Sequence, residues 1–190
     1  MGRVVFNGWR MRWGPPRPLC RGAEFVTTIA EYLVAAGIEI APVQPGEAGA
    51  PEVSLPLADG WQAVDAAMFP GAYGVFTRPP ENGWADNVVL LVGRLSKPSN
   101  PAELLESAFA DARQLPDWRE LNAEIGDYQG FPSAAVTGTY AVEALILWVH
   151  TRYAIVAIGS YEYLVQLTVT ARADGDGIEA GLLDGLQITV

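Results

Sequence analysis

Alternating apolar and polar side chains dominate the second half of the chain. Residues 161–171 place tyrosine, valine and leucine on one face and mainly polar side chains on the other, which predicts a half-buried β-strand. Residues 144–158 contain the run 145–149, which is apolar on both faces and predicts a central strand covered from both sides. With 132–142 as a third strand, and turns near Glu143 and Gly159, the pattern predicts three long antiparallel neighbours.

Apolar residues at helical spacing predict three helices. The first covers 29–36, where Thr27 or Thr28 can cap the N-terminus and Gly37 ends the helix. The second begins at the cap residue Asn100, has proline at its first position and runs to about residue 115. A short third helix is marked by the leucines and isoleucine of 178–186.

Shorter strands are predicted before the second helix. Residues 41–51 form a loop by composition, and 53–57 form an edge strand at best, with a short strand from Gly60. Strands at 73–77 and 88–95 are joined through a turn at Asn82-Gly83. The predicted fold class is therefore α+β, with an antiparallel β-sheet flanked by helices, in a single domain over 26–190.

Composition excludes several classes of protein. The net charge is −10, with 12 basic and 22 acidic residues, so a nucleic-acid partner is not expected. A single cysteine excludes an internal disulfide framework. The longest nearly apolar stretch, 141–149, is too short to span a bilayer, and no transmembrane segment is predicted.

The charge separates the first 25 residues from the rest. Five arginines and one acid give 1–25 a charge of +4, which leaves −14 for 26–190. A signal sequence is rejected, because arginines and prolines interrupt every apolar run and no lipoprotein cleavage box precedes Cys20. A basic arm for an anionic partner stays open. The preferred hypothesis is that 1–25 are disordered or a start-site artefact, with the true start near Val26.

No motif for catalysis, cofactor binding or metal binding is found. The loop at Asp174 and Asp176 lacks the closing glutamate of a calcium site. His150 is the single histidine and could titrate near neutrality, but no nucleophile can be assigned to it. We therefore predict no catalytic residue, no metal ligand, no cofactor and no enzymatic activity. A hydrolase that uses His150 is the least favoured hypothesis.

Aromatic residues suggest where a ligand would bind. Trp84 lies beside the Asn82-Gly83 turn, where we expect it to be exposed and to anchor a partner or ligand. Phe69 belongs to an apolar loop that could rim a pocket. The predicted ligand-binding residues are Trp61, Phe69, Tyr73 and Trp84.

Short segments spread over 27–190 resemble the actinobacterial LpqN/LpqT family. They include TIAEYLVAAGI at 28–38, VSLPL at 53–57, PGAYG at 70–74, PAELL at 101–105 and GTY at 138–140. The resemblance implies a PsbP-like α/β/α sandwich and a non-catalytic role in the cell envelope. It also implies a lipid or glycolipid ligand, such as acylated trehalose, and envelope-biogenesis proteins as partners.

Two functional hypotheses follow. The first is an accessory protein that binds an acyl chain or envelope glycolipid in an apolar pocket between sheet and helices. The second is a protein-interaction adaptor with a solid core that uses the loops 68–74 and 79–87. Members of the family are typically exported lipoproteins, but 1–25 offer no leader, so the sequence predicts a cytoplasmic protein.

Overall fold

The computed structural model describes residues 27–65, 68–175, 178 and 180–190. The proposed N-terminal extension, 1–25, lies outside these residues. Within them, no helix is long and apolar enough to cross a membrane.

In the part of the chain that the structure describes, three helices form close to where the pattern predicts them. They are α1 (Ile29–Ala36), α2 (Pro101–Arg113) and α3 (Ala180–Leu183). At the start of α1, the Thr28 hydroxyl accepts from the Glu31 N–H while the Glu31 carboxylate accepts from the Thr28 N–H, a reciprocal capping box. Gly37 ends the helix in the left-handed conformation, with φ of 63°. At α2 the N-cap residue is Asn100 and proline follows it, as predicted, but the Asn100 side chain makes no cap hydrogen bond.

Ten strands are present in the described residues. They are β1 (Ile40–Pro42), β2 (Glu52–Ser54), β3 (Gln62–Ala63), β4 (Gly74–Thr77), β5 (Asn87–Leu95), β6 (Arg119–Tyr128), β7 (Phe131–Val142), β8 (Leu145–Ile158), β9 (Tyr161–Arg172) and β10 (Gln187–Thr189). The three long strands predicted from alternation are confirmed as β7, β8 and β9. Strand β6 was not predicted, and β1 occupies part of the predicted loop 41–51.

The strands form one large sheet and one small one. The large sheet has eight antiparallel strands in the order β3-β4-β5-β9-β8-β7-β6, and β1 pairs with the far end of β5. The small sheet pairs β10 with β2. The predicted fold class, an antiparallel sheet flanked by helices, is confirmed.

Each face of the large sheet carries a different cover. On the first, the helix face, α1 and α2 pack on side chains such as Tyr153, Ile155 and Leu164. On the opposite face, the loop face, the β2–β10 pair and the segment around α3 cover Ala154, Val156 and their neighbours. Strand β8 is thus central and buried on both sides over 149–156. The apolar run 145–149, from which this was predicted, is only partly covered, since Ile146 is 54% accessible.

Strand β6 ends the sheet and pairs only with β7 in the described part of the chain. It joins β7 through the two-residue turn Gln129-Gly130, in which both residues have positive φ, 56° and 86°, as a type I′ hairpin requires. Eight of its ten residues are exposed. That exposure explains why the strand escaped prediction, since an edge strand that buries neither face shows no apolar alternation.

Candidate functional site

The four predicted ligand-binding residues do not come together at one site. Tyr73 is buried in the core of the loop face, where its hydroxyl oxygen accepts from the Val53 N–H at 3.3 Å. Trp61 packs against the same cluster, and the Arg78 guanidinium lies 5.0 Å from the centre of its ring. Phe69 is half-buried in the loop before β4. Their role in ligand binding stays a prediction.

Trp84 lies on the helix face, and the expectation that it is exposed is wrong. Only 8% of the residue is accessible, because it packs in a cluster with Tyr140, Leu147 and Val149. The turn at Asn82-Gly83 forms as predicted, with positive φ at both residues. It folds back so that the Glu81 and Trp84 backbones bond to each other, and this places the indole on the sheet.

A cavity of about 150 Å³ lies elsewhere, over strands β6, β7 and β8. Its floor is open because the strands carry small residues here, namely Gly126, Ser133 and Ala135. The remaining lining residues are Glu124, Ile125, Asp127 and Arg152. We call it the Arg152 cavity, after the one basic side chain among its lining residues.

Arg152 is a charged residue in the middle of a buried strand. Its side chain is 10% exposed and faces two carboxylates at long range, Glu124 at 4.0 Å and Asp184 at 3.7 Å. The guanidinium stacks on the ring of Tyr128 at 4.3 Å from the ring centre, a cation–π contact. The Arg152 Nε makes no hydrogen bond within the described residues. The Nη atoms approach carboxylate oxygens only at 4.0 and 3.7 Å, so the guanidinium retains donor capacity beside the cavity that Arg152 lines.

The C-terminal segment fixes the position of Tyr128 and so of the arginine beneath it. The Tyr128 hydroxyl lies 2.8 Å from the Asp184 carbonyl oxygen and 2.9 Å from that of Leu186, to which it donates. The Gln129 side chain adds a bond to the same Leu186 carbonyl and accepts from the Ile188 N–H. These hydrogen bonds join the β6–β7 turn to the segment before β10, next to Arg152.

His150 lies two residues from Arg152 on the same face of β8, and the expectation that it titrates near neutrality is wrong. Burial, with the nearby Arg152 charge second, lowers the pKa of His150 to about 4. Its Nδ1 is 2.8 Å from the Thr137 hydroxyl, and its ring stacks on Trp148. At neutral pH the imidazole is therefore uncharged. Among the described residues no group of His, Cys, Asp and Glu side chains could hold a metal ion.

One feature of the sequence indicates this site, namely a charged residue within an otherwise apolar strand. Arg152 interrupts β8, a strand whose neighbouring residues are buried, and a charge inside a buried strand needs partners. Its partners come from β6 and from the segment after α3, which are distant in sequence. They could not be identified without the sheet order.

Comparison with known proteins identifies relatives. Residues 26–186 match the family described as "Probable lipoprotein LpqN". A "Proline-rich 28 kDa antigen" of Mycobacterium tuberculosis is 29% identical over 92% of this chain, and the chain spans 58% of that protein. A "Putative lipoprotein LpqT" of the same species is 30% identical over 76% of this chain, which spans 64% of it.

The fold is shared with a solved structure. The crystal structure of "LpqN involved in cell envelope biogenesis of Mycobacterium tuberculosis" superposes with a TM-score of 0.74 at 22% identity, covering 86% of this chain and 98% of that one. The resemblance to the LpqN/LpqT family inferred from the sequence segments is therefore confirmed.

The same comparisons correct one prediction. The matched family and the LpqT relative are named lipoproteins, and proteins of that class are exported, so the prediction of a cytoplasmic protein is wrong. It rested on the lack of an apolar run in 1–25, and that lack does not decide the compartment.

Proposed function

Because this chain belongs to the LpqN lipoprotein family, we propose that it is a non-catalytic accessory protein of the cell envelope that binds the polar head group of an envelope lipid at the Arg152 cavity. The observation that carries the proposal is a nearly buried guanidinium at a cavity, with carboxylates on the same side. M. tuberculosis LpqN is described as involved in cell envelope biogenesis, and this supports a role in the cell envelope.

The size of the cavity favours a small polar group over an acyl chain. Pockets that hold drug-sized ligands measure about 300–1,000 Å³, whereas the Arg152 cavity measures about 150 Å³. An acyl chain would instead need space among Tyr73, Trp61 and their neighbours, which pack against each other in the core. The head group is thus the part of a glycolipid that this surface fits.

Local charge favours hydroxyl groups over phosphate. Arg152 contributes one positive charge, and Glu124 and Asp184 contribute two negative charges within 4.0 Å of it. A phosphate would be attracted by the first and repelled by the other two. A hydroxyl group can accept from the guanidinium and donate to a carboxylate at the same time. A neutral, hydroxyl-rich head group such as a sugar therefore matches the cavity.

The chemistry of the site supports binding without catalysis. With its pKa lowered to about 4, His150 is poorly matched to general-base work at neutral pH, which needs a pKa near the working pH. Its Nδ1 is already engaged by Thr137.

Binding can be measured by following backbone amide signals by NMR during titration with a monosaccharide and, separately, with inorganic phosphate. We expect the monosaccharide to shift signals of Gly126, Ser133 and Ala135, and Arg152→Met to weaken binding at least tenfold. Arg94→Met is the matched control, since Arg94 also faces a carboxylate at 3.7 Å and an aromatic ring at 5.6 Å but is exposed and remote from the cavity. Shifts with phosphate alone, or equal effects of both variants, would contradict the proposal.

A second candidate is a protein-interaction adaptor with a solid core. The packing of Tyr73 and Trp84 favours it, as does the exposed Met68, which is 69% accessible in one of the predicted contact loops. Trp84→Ala cannot test surface contacts, because the substitution would leave a cavity in the core and destabilise the fold by about 3–5 kcal/mol. Met68→Asp is the better test. Loss of a co-purified envelope protein with unchanged unfolding would favour the adaptor, and retention of every partner would count against it.

A further inference from the structure

The turn at Asn82-Gly83 presents a reactive pair of residues to solvent. Both residues are exposed, and no atom lies within 4 Å of the place where a Cβ on Gly83 would stand. The hydrogen bonds across the turn join Glu81 to Trp84, and among the described residues none engages the Gly83 N–H. The Asn82 carboxamide is therefore open to attack by the next backbone nitrogen, since glycine has no Cβ to shield that nitrogen.

The backbone of the turn needs one peptide-plane rotation to reach the geometry of that attack. The φ angles, 48° at Asn82 and 83° at Gly83, are those of a type I′ turn. The Gly83 nitrogen approaches the Asn82 Cγ when this nitrogen and Cβ are eclipsed, at a ψ of about −120°, which is the ψ of the first central residue in a type II′ turn. A type II′ turn keeps the positive φ at Asn82 and reverses the sign only at Gly83, which glycine allows.

Arg172 holds this peptide plane in its unreactive orientation. The Arg172 Nη1 donates to the Asn82 carbonyl oxygen at 3.2 Å. Its Nε and Nη2 donate to the Asp174 carboxylate at 2.8 and 2.7 Å, which fixes the guanidinium. In a type II′ turn the Asn82 carbonyl would point to the other side of the turn. The rotation that prepares the reaction therefore breaks the bond to Arg172.

We propose that Asn82 is a site of spontaneous deamidation and that Arg172 controls its rate. A base removes the Gly83 amide proton, the nitrogen forms a bond to the Asn82 Cγ, and the side-chain nitrogen takes up a proton and leaves as ammonia. The product is a cyclic imide. Water then opens the imide at one of its two carbonyl carbons, which leaves aspartate or isoaspartate at position 82. The sequence of steps involves no oxidation or reduction.

The two products differ in their effect on the hairpin. Aspartate leaves the main chain unchanged, and Asp-Gly also suits a type I′ turn. Isoaspartate routes the main chain through Cβ, so the turn gains one main-chain atom and no longer matches the pairing of Glu81 with Trp84. Because that pairing places Trp84 against Tyr140 and Leu147, isoaspartate would loosen this cluster.

Mass spectrometry of the full chain after incubation at pH 8 tests the proposal, because exchange of the side-chain NH₂ for OH raises the mass of the peptide that carries it. In the folded protein we expect this change at Asn82. The other asparagines of the described chain should stay intact, because Asn87 is buried, Asn100 precedes a proline without an N–H, and Asn122 lies in strand β6. Residues 7–8, also Asn-Gly, lie outside the described residues and are followed in a separate peptide.

Removal of the guanidinium tests the role of Arg172. Arg172→Met should react at position 82 roughly fivefold faster than the wild type, because no hydrogen bond then opposes the rotation. Arg94→Met is the matched control and should react at the wild-type rate. Arg94 also faces a carboxylate, that of Glu47 at 3.7 Å, but lies at the end of β5 that is far from the turn. In urea, where the turn is lost, all three chains should react alike.

Each result decides for or against the proposal. Conversion at Asn82 in the folded chain that is faster in Arg172→Met and unchanged in Arg94→Met supports it. Equal rates in the wild type and Arg172→Met overturn it, as does conversion at Asn82 that is no faster than at Asn122. An equal acceleration at Asn82 and Asn122 in Arg172→Met also overturns it, because that result would reflect general unfolding.

Discussion

Asp111 predicts an unusual dependence of stability on pH. Its carboxylate lies under the start of α1 and accepts from the Ile29 N–H at 3.4 Å. Burial raises the pKa of Asp111 from 3.8 to about 6, and the nearby Glu31 raises it further, while the Ile29 hydrogen bond opposes the rise. The folded protein therefore favours the protonated carboxyl.

The perturbation is Asp111→Asn, which keeps an oxygen acceptor for the Ile29 N–H and removes the charge. Each pKa unit corresponds to about 1.36 kcal/mol. A pKa raised by about two units in the folded state therefore means that the ionised Asp111 lowers the free energy of unfolding by about 2–3 kcal/mol. Below pH 4 both folded and unfolded chains are protonated at Asp111, and ionisation costs nothing. Between pH 4 and 6 the unfolded chain releases the proton first, so the wild type loses stability as the pH rises.

Urea denaturation at pH 4.5 and pH 8 measures the effect. We expect the free energy of unfolding of Asp111→Asn to exceed that of the wild type by about 2–3 kcal/mol at pH 8 and by much less at pH 4.5. The control is Asp174→Asn, because the Arg172 side chain lowers the pKa of this exposed carboxylate. That variant should be slightly less stable at pH 8, and its deficit should shrink at low pH. A gain for Asp111→Asn that does not change with pH would refute the reasoning.

Two matched pairs of substitutions test other parts of the fold by chemical denaturation. Gly138→Ala should destabilise the protein by about 1–3 kcal/mol, because the added Cβ would clash with the Trp118 ring. Gly126→Ala should change stability by less than about 1 kcal/mol, because no atom lies within 4 Å of its added Cβ. Equal losses in the two variants would contradict this. Thr28→Ala should cost about 1 kcal/mol, since it removes the capping box, and Asn100→Ala should cost little because its side chain caps nothing. A larger loss at Asn100 would mean that the cap forms in solution.

The sequence predicts those parts of the fold whose cause is local. The helix start at Thr28 and the turn at Asn82-Gly83 depend on neighbouring residues, and both form as expected. The position of Trp84 depends instead on where the hairpin folds back relative to Tyr140 and Leu147, which no local pattern contains. For the same reason, the aromatic pattern predicts one site from residues that the structure places in separate clusters.

The candidate site was missed for a related reason. Arg152 is visible in the sequence as a charge inside an apolar strand, but its surroundings come from β6 and Asp184. Strand β6 itself leaves no apolar alternation because both of its faces are exposed. The site thus depends on the sheet order.

The pairing of β10 with β2 has a consequence for the order of folding. Ile188, near the end of the chain, pairs with Val53, and both belong to the loop-face core. The β7–β8–β9 meander can form from contacts close in sequence, but this pair must close a loop that spans most of the chain, which is slow. During synthesis the apolar face of the meander therefore stays uncovered until the last residues emerge, and this interval is when the chain is most open to aggregation or to capture by a chaperone.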